Sequence, residues 1–177
     1  MIILMNSNLE IERKFLVEFP DTGLLDITEK LDILQTYLKD GEDHSQRRVR
    51  KICKNGEVSY VYTEKIFYSA EVRKETEFEI SREDYERLAA ERKTELKPIE
   101  KTRLRFLYKD QRFELDIYPF SRSLAILELE LEDPGQEIFF PDHIKVVKEV
   151  TGVDAYSNSA LGNSNAFPEE AGTKGEI

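Results

Sequence analysis

Polar and apolar residues alternate along most of this chain. Leu9 to Val17, Leu31 to Leu38, Ser45 to Lys54, Val58 to Tyr68 and Val72 to Ile80 follow a period of two. After a break, so do Ile99 to Tyr108, Arg112 to Tyr118 and Leu124 to Leu131. Successive side chains of a strand point to opposite faces, so this period predicts strands with one apolar face. Eight such segments in one domain predict a barrel or a pair of packed sheets. Asn55-Gly56 predicts a tight hairpin, because both central positions of such a turn take positive φ. Lys109-Asp110-Gln111 marks a second turn.

Three helices are expected between and after these strands. Ser81 is a suitable N-cap, Asp84 completes an acidic capping box, and Ile80 and Tyr85 are spaced for a hydrophobic staple. Tyr85, Leu88 and Ala89 give a short apolar stripe, and the helix is expected to end near Glu95. A second helix is expected over Asp142 to Glu149 and a third over Ser157 to Leu161. From Gly162 to Ile177 the chain turns polar, as a frayed tail would. No repeat or linker divides the chain. The reading is a mainly β (α+β) domain over residues 1–161 followed by a polar tail over residues 162–177.

The faces opposite the apolar ones carry organised charge. Glu10, Glu12 and Lys14 share a face, with Arg13 among Leu9, Ile11 and Phe15 on the other. Arg48 and Arg50 flank Val49, and Arg73, Glu75, Glu77 and Glu79 alternate with Thr76, Phe78 and Ile80. Lys101, Arg103 and Arg105 alternate with Thr102, Leu104 and Phe106. Glu114 and Asp116 alternate with Phe113, Leu115 and Ile117, and Glu128, Glu130 and Glu132 with Leu127, Leu129 and Leu131. A solvated sheet face accounts for any one of these strands. Collected like charges repel, however, and a purely solvated face gains nothing from them. A hydrated cavity holding a polyanion and its metal ions uses both signs, carboxylates for the metal and Arg or Lys for phosphate oxygens. The charged faces are therefore expected to point into a tunnel, with the apolar faces outward under the helices.

Composition narrows the chemistry. The 177 residues are 40% hydrophobic and 35% charged, enough for one domain with a core. A net charge of −10 argues against a nucleic-acid surface or a basic membrane face. Cys53 is the only cysteine, so no intrachain disulfide can form and a reducing cytoplasm is expected. Met1 to Met5 is apolar but too short for a signal-peptide core or a membrane span. His44 and His143 lie far apart, which disfavours a histidine zinc site, and no phosphate-binding glycine loop or nucleophile elbow occurs. Any metal would be held by carboxylates, which select hard cations such as Mg2+ or Mn2+.

Glu10-Ile11-Glu12-Arg13-Lys14 forms an E-x-E-x-K signature, followed by Arg48-Val49-Arg50, Lys65 and Arg73-Lys74-Glu75-Thr76-Glu77. Lys101-Thr102-Arg103, Glu114-Leu115-Asp116, Glu128-Leu129-Glu130, Lys148 to Thr151 and Tyr156-Ser157-Asn158 complete the order. In this order, from Leu9 to Leu161, the chain resembles the CYTH superfamily, the triphosphate tunnel metalloenzymes. These include bacterial inorganic triphosphatases, thiamine triphosphatases and class IV adenylate cyclases. Many bacterial relatives carry Arg where this chain has Ala155.

The resemblance implies an eight-stranded antiparallel β-barrel tunnel for a triphosphate and Mg2+ or Mn2+. It implies substrate contacts from Lys14, Arg48, Arg50, Lys65, Arg73, Lys101 and Arg103. Glu10, Glu12, Glu128 and Glu130 would serve catalysis as metal ligands, helped by Asp116, with Glu75 and Glu77 either assisting or positioning the arginines. Hydrolysis of inorganic triphosphate is the expected activity. A class IV adenylate cyclase, a thiamine triphosphatase and a non-catalytic binder of polyphosphate or nucleotide are the alternatives. The expected partner is a small-molecule triphosphate, with no nucleic acid or membrane. Nothing in the sequence chooses between a monomer and a homodimer.

Overall fold

The computed structural model describes residues 6–172, and the apolar stretch Met1 to Met5 lies outside them. Among the described residues are nine antiparallel strands, two α-helices and three short 3-10 turns. The strands are β1 (Asn6–Glu18), β2 (Asp26–Tyr37), β3 (Gln46–Lys54), β4 (Glu57–Phe67), β5 (Val72–Ile80), β6 (Ile99–Tyr108), β7 (Gln111–Ile117), β8 (Leu124–Leu131) and β9 (Val146–Glu149). The order β5-β4-β3-β2-β6-β7-β8-β1 closes when the start of β1 pairs with β5, giving the expected eight-stranded barrel. Closure removes the free edges that an open sheet would expose.

Local sequence sets the corners. Asn55 and Gly56 take φ of 52° and 79° between β3 and β4, the pair of positive values a two-residue hairpin requires. Lys109 and Asp110 do the same between β6 and β7 at 47° and 58°. The first helix, α1 (Arg82–Ala89), starts where Ser81 Oγ accepts the Asp84 N–H at 3.0 Å. Tyr85 meets Tyr60 of β4, ring centroids 4.7 Å apart, so α1 packs on the barrel's outer wall. The helix stops short of the expected Glu95. Arg92 bridges to Leu38, and the Lys93 N–H donates to the Tyr37 carbonyl at 2.9 Å, so tertiary pairing captures the chain.

The helix expected over Asp142 to Glu149 does not form. The β1 edge that pairs with β5 over Asn6–Ile11 is free again near Phe15, and β9 takes it there. The β-branched pair Val146-Val147 suits that strand. The third helix appears as α2 (Asn158–Ser164), capped by Ser157 Oγ accepting from the Ala160 N–H. Packing continues past residue 161. Phe167 has no exposed surface and meets Tyr118 and Phe120 edge-on, at 5.7 and 5.5 Å.

Two apolar layers hold the barrel. The outward faces of β1, β6, β7 and β8 give Phe15, Val17, Leu104, Phe106, Phe113, Leu115, Leu127 and Leu129 to one cluster. Each such side chain contributes about 1.5–3 kcal/mol when fully buried. The expected cover of helices is replaced here by irregular chain, through Ile138, Phe140, Ile144 and Leu25. The second layer lies inside. Leu16, Ile99, Tyr118 and Ile126 have the same strand parity as the charges, yet cluster with Val150, Tyr156, Leu161 and Phe167. The inner wall thus becomes apolar where the C-terminal segment folds over it.

Candidate functional site

The barrel encloses a cavity of about 720 Å³. Alternation along each strand turns Glu10, Glu12 and Lys14 of β1, Arg48 and Arg50 of β3, and Lys65 of β4 toward it. β5 adds Arg73, Glu75 and Glu77, β6 adds Arg103, and β8 adds Glu128 and Glu130. Tyr37, Gln46, Phe67, Arg105 and Glu114 also line it, as do Thr151 to Asp154 and Ser157 to Ala160. Sequence parity did not single out this C-terminal roof, which lacks a strand period. Its signal was the Tyr156-Ser157-Asn158 segment.

The neighbouring cations of opposite parity face away. Arg13 makes a two-pronged pair with Glu149 of β9 at 2.7 and 2.8 Å, and Arg47 donates to Tyr62 at 2.8 Å. Neither lines the cavity.

Inside, cations and carboxylates interlock. Lys14 meets Glu128 at 3.5 Å, Arg50 meets Glu77 at 2.7 Å, Lys65 meets Glu75 at 2.9 Å, and Arg73 meets Glu12 at 3.4 Å. Arg103 reaches Glu114, Asp116 and Glu128 at 3.0, 2.7 and 3.3 Å. Arg48 differs from all of these. It is 9% exposed and lines the cavity, yet makes no close ion pair among the described residues; its Nε, like those of Arg50 and Arg73, is buried without a partner. A buried unpaired guanidinium is costly, and a bound anion relieves that cost.

Lys101 and Asp116 stand behind the cavity wall. Both are buried, Lys101 donates to Asp116 at 2.7 Å, and neither is among the lining residues. Burial raises the Asp116 pKa, but Arg103 and Lys101 outweigh it and hold the carboxyl well below the usual range. Burial, with the Arg103 charge, lowers Lys101 to about 8. Both Asp116 oxygens are thereby committed to steadying Arg103 and Lys101.

The remaining carboxylates crowd one another. Burial, the Glu75 charge and a hydrogen bond to Glu75 raise Glu10 to about 8. Glu75 itself, despite its burial, is drawn down to about 2 by Lys65 and Arg48. The two carboxyls are thus pushed in opposite directions, Glu10 up and Glu75 down, within one coupled site. Glu130 is raised by burial and by the charges of Glu114, Glu12 and Glu75. Such crowding of oxygen donors fits a hard divalent cation. Among the described residues, no three carboxylate, histidine or cysteine side chains already stand close enough to hold an ion. Glu128 is the most committed of the four predicted ligands, lying between Lys14 and Arg103, which lower its pKa against burial.

Comparison with known proteins bears on this arrangement. The CYTH domain family matches residues 8–151. A solved structure of the inorganic triphosphatase NE1496 is 32% identical over 87% of this chain and 97% of its own, with a TM-score of 0.51. Another, of the hypothetical protein NE1496, is 34% identical over 88% and 98%, with a TM-score of 0.52. PH1819 from Pyrococcus horikoshii OT3 shares the fold at 21% identity over 71% and 80%, with a TM-score of 0.53. No match was found among curated proteins. A closed barrel with charges inside, matched by the family over most of its length, leads to one conclusion: the chain belongs to the CYTH family.

Proposed function

We propose that the chain hydrolyses a triphosphate with the help of Mg2+ or Mn2+, inorganic triphosphate being favoured, to give diphosphate and phosphate. The observation that carries this reading is Arg48, a buried guanidinium on the cavity that makes no close ion pair among the described residues. Lys14, Arg50, Lys65, Arg73 and Arg103 line the same cavity, each holding a carboxylate that a phosphate oxygen can replace. The triphosphatase NE1496, at 32% identity, supports the same substrate class.

In this reading the cations fix the phosphate chain for in-line attack and offset the charge that develops on it. Lys101 and Asp116 hold Arg103 in place rather than touching substrate. Glu10, Glu12 and Glu130 would hold the metal, with Glu128 joining them from its pairs with Lys14 and Arg103. Once bound, the metal would supply Lewis acidity toward phosphate oxygens and activate a water. Among the described residues no histidine or cysteine lines the cavity, and the hydroxyls of Thr151, Ser157 and Ser159 there are engaged in hydrogen bonds, so water is the proposed nucleophile. A reducing cytoplasm is the proposed compartment, Cys53 being the only cysteine.

Phe67 favours a second reading, an organic triphosphate, because it is 51% exposed and brings to the cavity an aromatic ring, with the Arg73 guanidinium 5.4 Å from its centroid. A panel of inorganic triphosphate, ATP and thiamine triphosphate separates the two. Fastest phosphate release from inorganic triphosphate is expected. Cyclic AMP and diphosphate as the main products from ATP would make the chain a cyclase.

A further inference from the structure

The strands supply the cavity with charged groups, whereas its roof adds neutral polar ones. Most of those roof groups are already committed. Ser157 Oγ donates to the Asp154 carbonyl at 2.7 Å, and Ser159 Oγ lies 3.1 Å from Ser157 Oγ. Asn163 accepts from the Lys97 N–H at 2.7 Å and donates to the Glu95 carbonyl at 3.2 Å. Thr151 Oγ1 accepts from the Lys14 N–H at 2.9 Å and donates to Glu149 at 3.0 Å.

Asn158 is the exception. Its Oδ1 accepts from the Tyr118 hydroxyl at 2.7 Å, and its Nδ2 has no partner among the described residues. Tyr118 is 1% exposed, its ring stacked on Phe120 at 5.2 Å and braced edge-on by Phe167 at 5.7 Å. Burial and the charges of Asp116 and Glu128 push its pKa well above the ordinary value, so the phenol keeps its proton. That buried proton needs an acceptor, and Asn158 Oδ1 is the only one it has among the described residues. Turning the amide over would set NH2 against the hydroxyl and strand the proton.

The phenol therefore fixes the amide, and Nδ2 is left as the uncommitted donor on a cavity-lining residue. We infer that Asn158 contacts the bound triphosphate through Nδ2, as a neutral donor complementing the strand cations, and that Tyr118 is its positioning residue. This rests on the phosphate-gripping reading of the cavity.

The test is calorimetric titration of inorganic triphosphate into the wild type, Asn158→Ala, Asn158→Asp, Tyr118→Phe and the Tyr118→Phe/Asn158→Ala double variant, each with a thermal melt. Asn158→Asp keeps the acceptor for Tyr118, so the fold should hold while a carboxylate faces the anion. Asn158→Ala should weaken binding about tenfold or more, the usual effect of losing a hydrogen bond to a charged group, and Asn158→Asp further still. Tyr118→Phe should weaken it less, and the double variant should bind no worse than Asn158→Ala, since Tyr118 acts through Asn158. Wild-type affinity in both folded Asn158 variants would reduce the pair to a structural brace and overturn the inference alone. Absence of triphosphate binding by the wild type would overturn the reading beneath it as well.

Discussion

Adjacent residues on β1 and β3 carry like charges toward opposite surroundings. Lys14 and Arg48 line the cavity, while Arg13 and Arg47 pair with Glu149 and Tyr62 outside it. Lys14→Ala and Arg48→Ala should each lower kcat/KM at least tenfold, about 1.4 kcal/mol of transition-state binding. Arg13→Ala and Arg47→Ala should leave kinetics nearly unchanged, with partly exposed ion pairs costing at most about 1 kcal/mol of stability. Folded but inactive Arg13 and Arg47 variants would invert the assigned face. Glu130→Gln should lower turnover by about 10²–10³ at limiting Mg2+, as removal of a transition-state stabiliser does. Glu128→Gln should do likewise and also lower the melting temperature, because it strips a buried partner from Lys14 and Arg103. Near-normal rates in both would remove these residues from the ligand set.

At the scale of elements, the strands and the charges on them were legible because strand parity is a local property. Glu12 and Arg103 face the cavity for the same reason that Leu104 does not. Asn55-Gly56 and Ser81 were legible because turn and cap chemistry sits within a few residues. What escaped was set by distant partners. β9 exists because β1 has an edge left open near Phe15, and α1 ends early because residues 92 and 93 find Leu38 and Tyr37. Asp116 was expected from the family resemblance to help the metal ligands, and the fold places Arg103 and Lys101 on both of its oxygens. The joint that lets the roof turn is Gly152. Its φ is +69°, and an added Cβ would lie 2.6 Å from the Ala70 Cβ. Gly152→Ala should therefore lower stability by at least about 1–2 kcal/mol from backbone strain alone, seen as a lower melting temperature. An unchanged melt would show that this contact yields freely.

At the scale of the whole molecule, an acidic protein with a net charge of −10 concentrates its buried cations on the inner wall of one barrel. The apolar faces of β1, β6, β7 and β8 supply cohesion from outside, which leaves the inner wall available for charge. The Glu10 pKa is pushed up there beside Glu75, and Arg48 makes no close ion pair among the described residues, which suits the proposed binding of a cation and a polyanion together. The most direct measurement is phosphate release from inorganic triphosphate by the metal-stripped protein, before and after adding back Mg2+ or Mn2+. Catalysis in the charged barrel predicts no release without metal, and equal amounts of phosphate and diphosphate once it returns. Full release from exhaustively stripped protein, or none under any metal condition, would contradict it.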